Sequence, residues 1–245
     1  MNALVTGVSR RAGIGFAIVR RLQERGATVF VQGWTAHDAR QEWGAEPDGL
    51  AGVAGELGAG WIEADFAEAD APARVVAAAR TALGPLDVLV VNHARSGHGR
   101  LGELTAEHLD AFLHENVRAP LLLVQEFAAQ LEGDHGRVVL LTSGAHLGPM
   151  AREVAYAVSK GALAIATRTL AEELADRGIT VNCINPGPTD TGWGLAEIDP
   201  APQMPFGRWG EPDDAARLVT WLCSEDARWI TGQVIDSEGG FRRSG

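Results

Sequence analysis

A single tyrosine, Tyr156, stands four residues before a single lysine, Lys160, and every other basic residue of the chain is an arginine. On a helix that spacing puts both side chains on one face, with Cβ atoms roughly 5–6 Å apart. A free phenol titrates at about 10, too high for proton exchange near neutral pH, and an ammonium one turn away favours the phenolate. The pair therefore reads as a tuned proton donor and acceptor. Ser143, thirteen residues upstream of Tyr156, adds a hydroxyl that suits either a second hydrogen bond to a reacting oxygen or a simple turn. Asn116 is a further polar candidate, although an asparagine inside a helix also serves by bonding a neighbouring carbonyl.

The elements that must position these groups alternate along the chain. Leu4-Val5-Thr6 runs into Gly7, and beyond Gly13-Ile14-Gly15 the residues Ile14, Ala17, Ile18 and Leu22 fall at helical spacing up to Gly26. This is strand, glycine turn, helix. Residues 28–31 read as a buried strand, 35–60 as a Gly-rich polar stretch holding one helix, 72–83 as a helix and 87–91 as a strand. A long helix over 105–131 precedes a strand at 137–142. The helix over 154–176, a strand at 179–184, a helix from Glu211 through Cys223 and a last short strand at Val234-Ile235 complete the order. The runs Val88-Leu89-Val90-Val91 and Val138-Val139-Leu140-Leu141 are continuous rather than alternating, as parallel strands covered on both faces require. The pattern predicts an α/β fold: one doubly wound Rossmann domain over 1–245 with a parallel, seven-stranded sheet. Residues 187–210, rich in Pro, Gly, Trp and Met, read as a loop over the site.

Thr6-Gly7-Val8-Ser9-Arg10-Arg11-Ala12-Gly13-Ile14-Gly15 resembles the glycine turn of the short-chain dehydrogenase/reductase family, with two extra residues. Its glycines let the backbone approach a pyrophosphate, and the helix that follows offers unpaired N–H groups to the anion. Further matches lie at the ends of the other strands: Asp65-Phe66, Asn92-His93-Ala94 with Arg95 in place of a glycine, Asn116 in Glu115-Asn116-Val117, and Ser143. Tyr156-x3-Lys160 is similar to the family's signature. Pro186-Gly187-Pro188-Thr189-Asp190-Thr191 and the ending Ile230 to Val234 with Glu238-Gly239-Gly240 follow the same pattern.

The resemblance implies a carbonyl reduced, or an alcohol oxidised, by hydride exchange with a nicotinamide. Tyr156 would carry the proton, Ser143 the second bond, Lys160 the phenolate and the nicotinamide ribose, and Asn116 a relay water. Gly7, Ser9, Arg10, Gly13, Ile14, Gly15, Thr35, Asp65, Phe66, Asn92, Ala94, Pro186, Gly187, Thr189 and Thr191 would surround the dinucleotide, together with Tyr156 and Lys160. Asp65 serves equally as a cap for the helix after it. NADP is the expected cofactor, with NAD possible. The second strand ends in Gly33 where NAD-binding members place an acid, leaving Arg10, and Thr35 as a hydroxyl donor, for a 2′-phosphate. Arg11 points to solvent or pairs with an acid.

A 3-oxoacyl reductase-like substrate is the default within the family, and the pocket wall is expected from 146–150 with Trp193, Leu195, Met204 and Phe206. Arg95 and Arg152 either bind a carboxylate or are solvated and paired. Two other functions compete. An enoyl reductase is favoured by the long glycine turn but opposed by the spacing, since that branch resembles Tyr-x6-Lys and this chain has no second lysine. A non-catalytic dinucleotide sensor is expected to lack the tyrosine or the lysine, and both are present.

Composition narrows the partners. The chain has 245 residues, 46% of them apolar, and a net charge of −11, which argues against nucleic acid and anionic membranes. Two cysteines without ligand spacing, and histidines without an HExxH pattern, predict no metal and suit a reducing cytoplasm. No apolar run of about 18 residues is present. A homotetramer is implied by the resemblance, through the helices at 105–131 and 154–176, the latter carrying Ala155, Ala162, Leu163 and Ala166.

Overall fold

In the computed structural model, which describes residues 1–192 and 195–243, seven parallel strands form one sheet in the order β3-β2-β1-β4-β5-β6-β7. They are β1 (Asn2–Thr6), β2 (Thr28–Gly33), β3 (Gly60–Glu63), β4 (Val88–Val91), β5 (Gly136–Leu141), β6 (Ile179–Asn185) and β7 (Val234–Asp236). The helices are α1 (Ile14–Glu24), α2 (Thr35–Asp38), α3 (Gly49–Leu57), α4 (Ala71–Leu83), α5 (Ala106–Leu113), α6 (Ala119–Gln130), α7 (Val154–Leu174) and α8 (Pro212–Leu222). The strand order reverses between β1 and β4, where Val5 pairs with Val90. A ligand crevice opens at such a switch point, outside the carboxyl ends of the strands.

The period of two along each strand builds two cores. Ala3 and Val5 of β1 face Ile18, Val19 and Leu22 of α1 with Val53 of α3 and Val219 of α8. Leu4, between them, faces the other side, where Leu89, Val75, Leu123, Phe127 and Leu163 bring α4, α6 and α7 onto the sheet. Both faces are covered, which explains the uninterrupted apolar runs of β4 and β5.

Two segments differ from the sequence reading. Residues 35–60 hold two short helices rather than one, because Gly49 and Gly58 at φ +58° and +60° begin and end α3 as a separate unit. The stretch 105–131 is a single winding of chain interrupted by a π-turn at His114–Arg118 between α5 and α6. Such turns insert one residue into a helix and often mark functional sites.

Candidate active site

The glycine turn packs against the neighbouring strand end. Gly7 has φ +72°, and a Cβ there would lie 2.7 Å from His93 Cα; a Cβ at Gly15 would lie 2.4 Å from the Gly7 carbonyl oxygen. Asn92, at the end of β4, donates to the carbonyls of Thr6 at 3.1 Å and Gly7 at 2.9 Å, fixing the turn. Gln32 closes it from β2, accepting from the Gly7 N–H at 3.1 Å. Gly13 caps α1 without a side chain, and no acid occupies the first turn. Its N–H groups are therefore left to the cleft that Gly7, Gly13 and Ile14 line. This cradle fits the pyrophosphate of a dinucleotide.

The far end of the cleft departs from expectation in several places. A Cβ at Gly33 would stand 2.9 Å from Ser9 Cβ and 3.0 Å from Leu50 Cδ1, so an acidic side chain has no room there. The acid is instead Asp38, buried, whose carboxylate accepts from the Ser9 hydroxyl and from Trp43 Nε1. Both of its oxygens are thereby engaged. Arg10 lies with its guanidinium 5.1 Å from the Trp43 ring centre and donates to the Thr191 carbonyl at 2.6 Å, spanning the cleft. Arg11 turns away, bonded to Glu46, Asp48 and Glu56.

Thr35, expected to offer its hydroxyl to a phosphate, donates it to Glu63 and accepts from the Leu50 N–H. Its hydroxyl is committed outside the cleft lining. Asp65 closes a local turn by accepting from the Ala67 N–H at 2.8 Å and does not cap the helix after it, whose N-cap is Asp70, while Phe66 and Ala94 line the cleft. Trp34, His37 and Trp43 line it too and were not anticipated; two tryptophans and a histidine in an otherwise Gly-rich loop were the available signal.

At the opposite end, residues just past β5 and on the first turns of α7 come together. Thr142 donates to the Lys160 carbonyl at 2.8 Å, strapping the strand end to the helix. The Ser143 hydroxyl donates to Met150 Sδ at 3.8 Å and stands close enough to the Tyr156 phenol to favour its ionised form. Tyr156 sets its ring edge-on to Phe112, centres 6.5 Å apart. Burial, with the charge of Glu153, pushes the phenol up to about 12 against the opposing influence of the Ser143 hydroxyl. This corrects the expected depression: the Lys160 ammonium is directed to the Leu141 carbonyl at 2.8 Å, and burial pushes Lys160 down to about 8.

Asn116 sits in the π-turn, and its side chain is fully used. It accepts from the Arg95 N–H at 2.7 Å and donates to the Arg95 carbonyl at 2.8 Å and the Ser159 hydroxyl at 2.9 Å. Arg95 in turn bonds buried Glu115 at 2.7 Å, the paired alternative. Asn185, the last residue of β6, accepts from the Gly187 N–H, and Thr189 donates to the carbonyls of Pro186 and Gly187, holding that segment as a folded turn. Thr191 reaches the cleft. Of the expected pocket wall, Met204 is instead buried near Gly239, whereas Phe206 is exposed; Trp193 lies outside the described residues.

A family model described as "Enoyl-(Acyl carrier protein) reductase" matches residues 7–242. The short-chain dehydrogenase/reductase FrzI of Cladobotryum sp is 37% identical over 98% of this chain and 95% of its own length. The chain belongs to the short-chain dehydrogenase/reductase family. The uncharacterized oxidoreductase YjdA of Bacillus subtilis (strain 168) is 41% identical over 98% of this chain and 96% of that protein. Among solved structures, a blue fluorescent protein from a metagenomic library, in complex with NADPH, is 35% identical with a TM-score of 0.86, covering 98% of this chain and 97% of its own. This short-chain dehydrogenase/reductase is thus an oxidoreductase, and its seven-stranded sheet is the family's. Among the described residues no helix is long and apolar enough to cross a membrane.

Proposed function

We propose that this enzyme is an NADP(H)-dependent carbonyl reductase, working in reverse as a secondary-alcohol dehydrogenase. The observation that carries the reading is the Tyr156 phenol beside Ser143, one helical turn from the buried ammonium of Lys160. A bound nicotinamide would supply or accept the hydride. The residues do the rest: a phenol held near 12 is protonated at neutral pH and so can donate to a carbonyl oxygen as negative charge develops there, with Ser143 as a second donor. Lys160 bears positive charge below about 8, which stabilises the phenolate left behind.

NADP(H) is favoured by the closed-off Gly33 position, by the engagement of both Asp38 oxygens with Ser9 and Trp43 and by Arg10, a cation in the cleft. The NADPH-bound relative supports the same choice. Residues 187–210 serve as the substrate loop. A 3-oxoacyl thioester is the first substrate to test; Leu147 and Phe206, both exposed and apolar, suit an acyl chain. The enoyl alternative, suggested by the matching family model, is opposed by the Tyr156–Lys160 spacing. A homotetramer is supported by exposed Leu121 on α6 and Val158 and Ile165 on α7, and a cytoplasmic setting suits the two buried free cysteines. The test is NADPH oxidation over a panel of ketones, 3-oxoacyl and enoyl thioesters, with dinucleotide binding measured in parallel. Turnover of enoyl substrates alone, or binding without any turnover, overturns the reading.

A further inference from the structure

The π-turn leaves one carbonyl without a helical partner. The N–H of Ala119, which an uninterrupted α-helix would direct to the carbonyl of Glu115, bonds His114 instead. The next N–H along the helix would belong to Pro120, and proline has none. A buried carbonyl in that state needs a donor from elsewhere. His93 Nε2 provides it, 3.0 Å from the Glu115 oxygen. Because a carbonyl only accepts, Nε2 carries the proton, and Nδ1, 2.8 Å from the Thr6 hydroxyl, is the acceptor. The ring packs on Phe66, centres 4.1 Å apart. Burial, with the charge of Lys160, pushes the imidazole down to about 3, so it is neutral at any working pH.

What hangs on this strut is the catalytic helix. Asn116, the next residue after Glu115, bonds the Ser159 hydroxyl at 2.9 Å, and Ser159 donates to the Tyr156 carbonyl at 2.9 Å. A shift of the Glu115 carbonyl therefore passes through Asn116 to the turn that bears Tyr156. We propose that His93 is a positioning residue, a strut from Thr6 of β1 to the Glu115 carbonyl exposed by Pro120, which holds Asn116 and thereby Tyr156 in place for proton transfer.

The proposal rests on the carbonyl-reductase reading, and its test separates the two. His93→Phe keeps a ring against Phe66 and removes both nitrogens; His93→Gln restores an acceptor and a donor. Small displacements of a reacting group are costly in rate, so His93→Phe is expected to lower kcat roughly ten- to a hundredfold, with the NADPH Kd within about twofold of wild type. His93→Gln recovers most of that loss. Unchanged kcat in His93→Phe, or kcat and NADPH affinity falling together without rescue by Gln, overturns the proposal. A second measurement needs no substrate. Pro120→Ala supplies the missing N–H, so His93→Phe should lower Tm less in that background than in wild type; equal losses overturn the strut. Absence of turnover by the wild type with every carbonyl substrate would count against the function reading alone, since the Tm cycle still decides the role of His93.

Discussion

Replacing Arg10 with alanine removes the one arginine that lines the cleft among the described residues and leaves the turn's glycines untouched. The guanidinium rests on Trp43 and holds the Thr191 carbonyl at 2.6 Å. Arg11, the next residue, is tied up by Glu46, Asp48 and Glu56. A charge-assisted hydrogen bond to a phosphate contributes about 1.5–3 kcal/mol. At about 1.4 kcal/mol per tenfold, Arg10→Ala should weaken NADPH binding roughly ten- to a hundredfold, with the lower figure favoured because Arg10 is only half-buried. NADH, which has no 2′-phosphate, should change little. Arg11→Ala is the control: its ion pairs are partly exposed, and it should leave both cofactors unaffected. Fluorescence titration of NADPH and NADH against wild type and both variants decides the matter. A wild-type preference for NADH refutes the assignment. An equal loss of both cofactors in Arg10→Ala also refutes it, since the guanidinium would then act on the pyrophosphate that the two share.

Tyr156→Phe removes the proton donor and little volume; kcat/KM for ketone reduction should fall by more than about tenfold while NADPH affinity holds, and steady-state kinetics with a binding titration check both. Lys160 is pushed down to about 8 and Tyr156 up to about 12, so the ammonium is lost as pH rises through 8 while the phenol keeps its proton. The pH profile of kcat/KM for NADPH, which reports the free enzyme, should therefore fall above pH 8, and a rate that rises there contradicts the role of Lys160. Light scattering should give a multiple of the 25.9 kDa chain. Ile165→Glu, on the exposed apolar face of α7, should then reduce the assembled mass.

Much of the site was legible because its chemistry depends on residue types that the chain uses once. Tyr156 and Lys160 could be paired from spacing alone, and β4 and β5 followed from continuous apolar runs that a two-sided sheet demands, whereas the largely exposed edge strand β3 shows no such run. The losses have physical causes. Residues 35–60 hide two helices because α2 has only four residues, too few for a repeat, and α3, with its stripe Leu50, Val53, Ala54 and Leu57, is begun and ended by glycines inside a Gly-rich stretch. The π-turn leaves no trace in hydrophobic periodicity, which runs on through 105–131. Pro120 was the visible clue, since a proline in mid-helix orphans a carbonyl that some side chain must then satisfy. Thr35 is lost to the cleft because a hydroxyl next to a strand end is drawn to whichever acceptor folding brings near, here Glu63.

The direction in which Tyr156 is shifted was misread for a different reason. Sequence shows that an ammonium stands one turn away, but not that both groups are withdrawn from water. Burial disfavours whichever form is charged, so it raises a phenol and lowers an amine at once. Both partners here move towards neutrality, Tyr156 to about 12 and Lys160 to about 8. The ammonium does not offset this, because its nearest claim is the Leu141 carbonyl. At neutral pH the free protein thus holds a protonated phenol beside an ammonium that has kept its charge, the form that donates a proton to a developing alkoxide. Alcohol oxidation starts from the opposite form and must first ionise the phenol against its burial. An oxidation rate that climbs with pH up to about 8, where Lys160 loses its charge, and a reduction rate that stays level until then and falls above it, follow from the same two side chains.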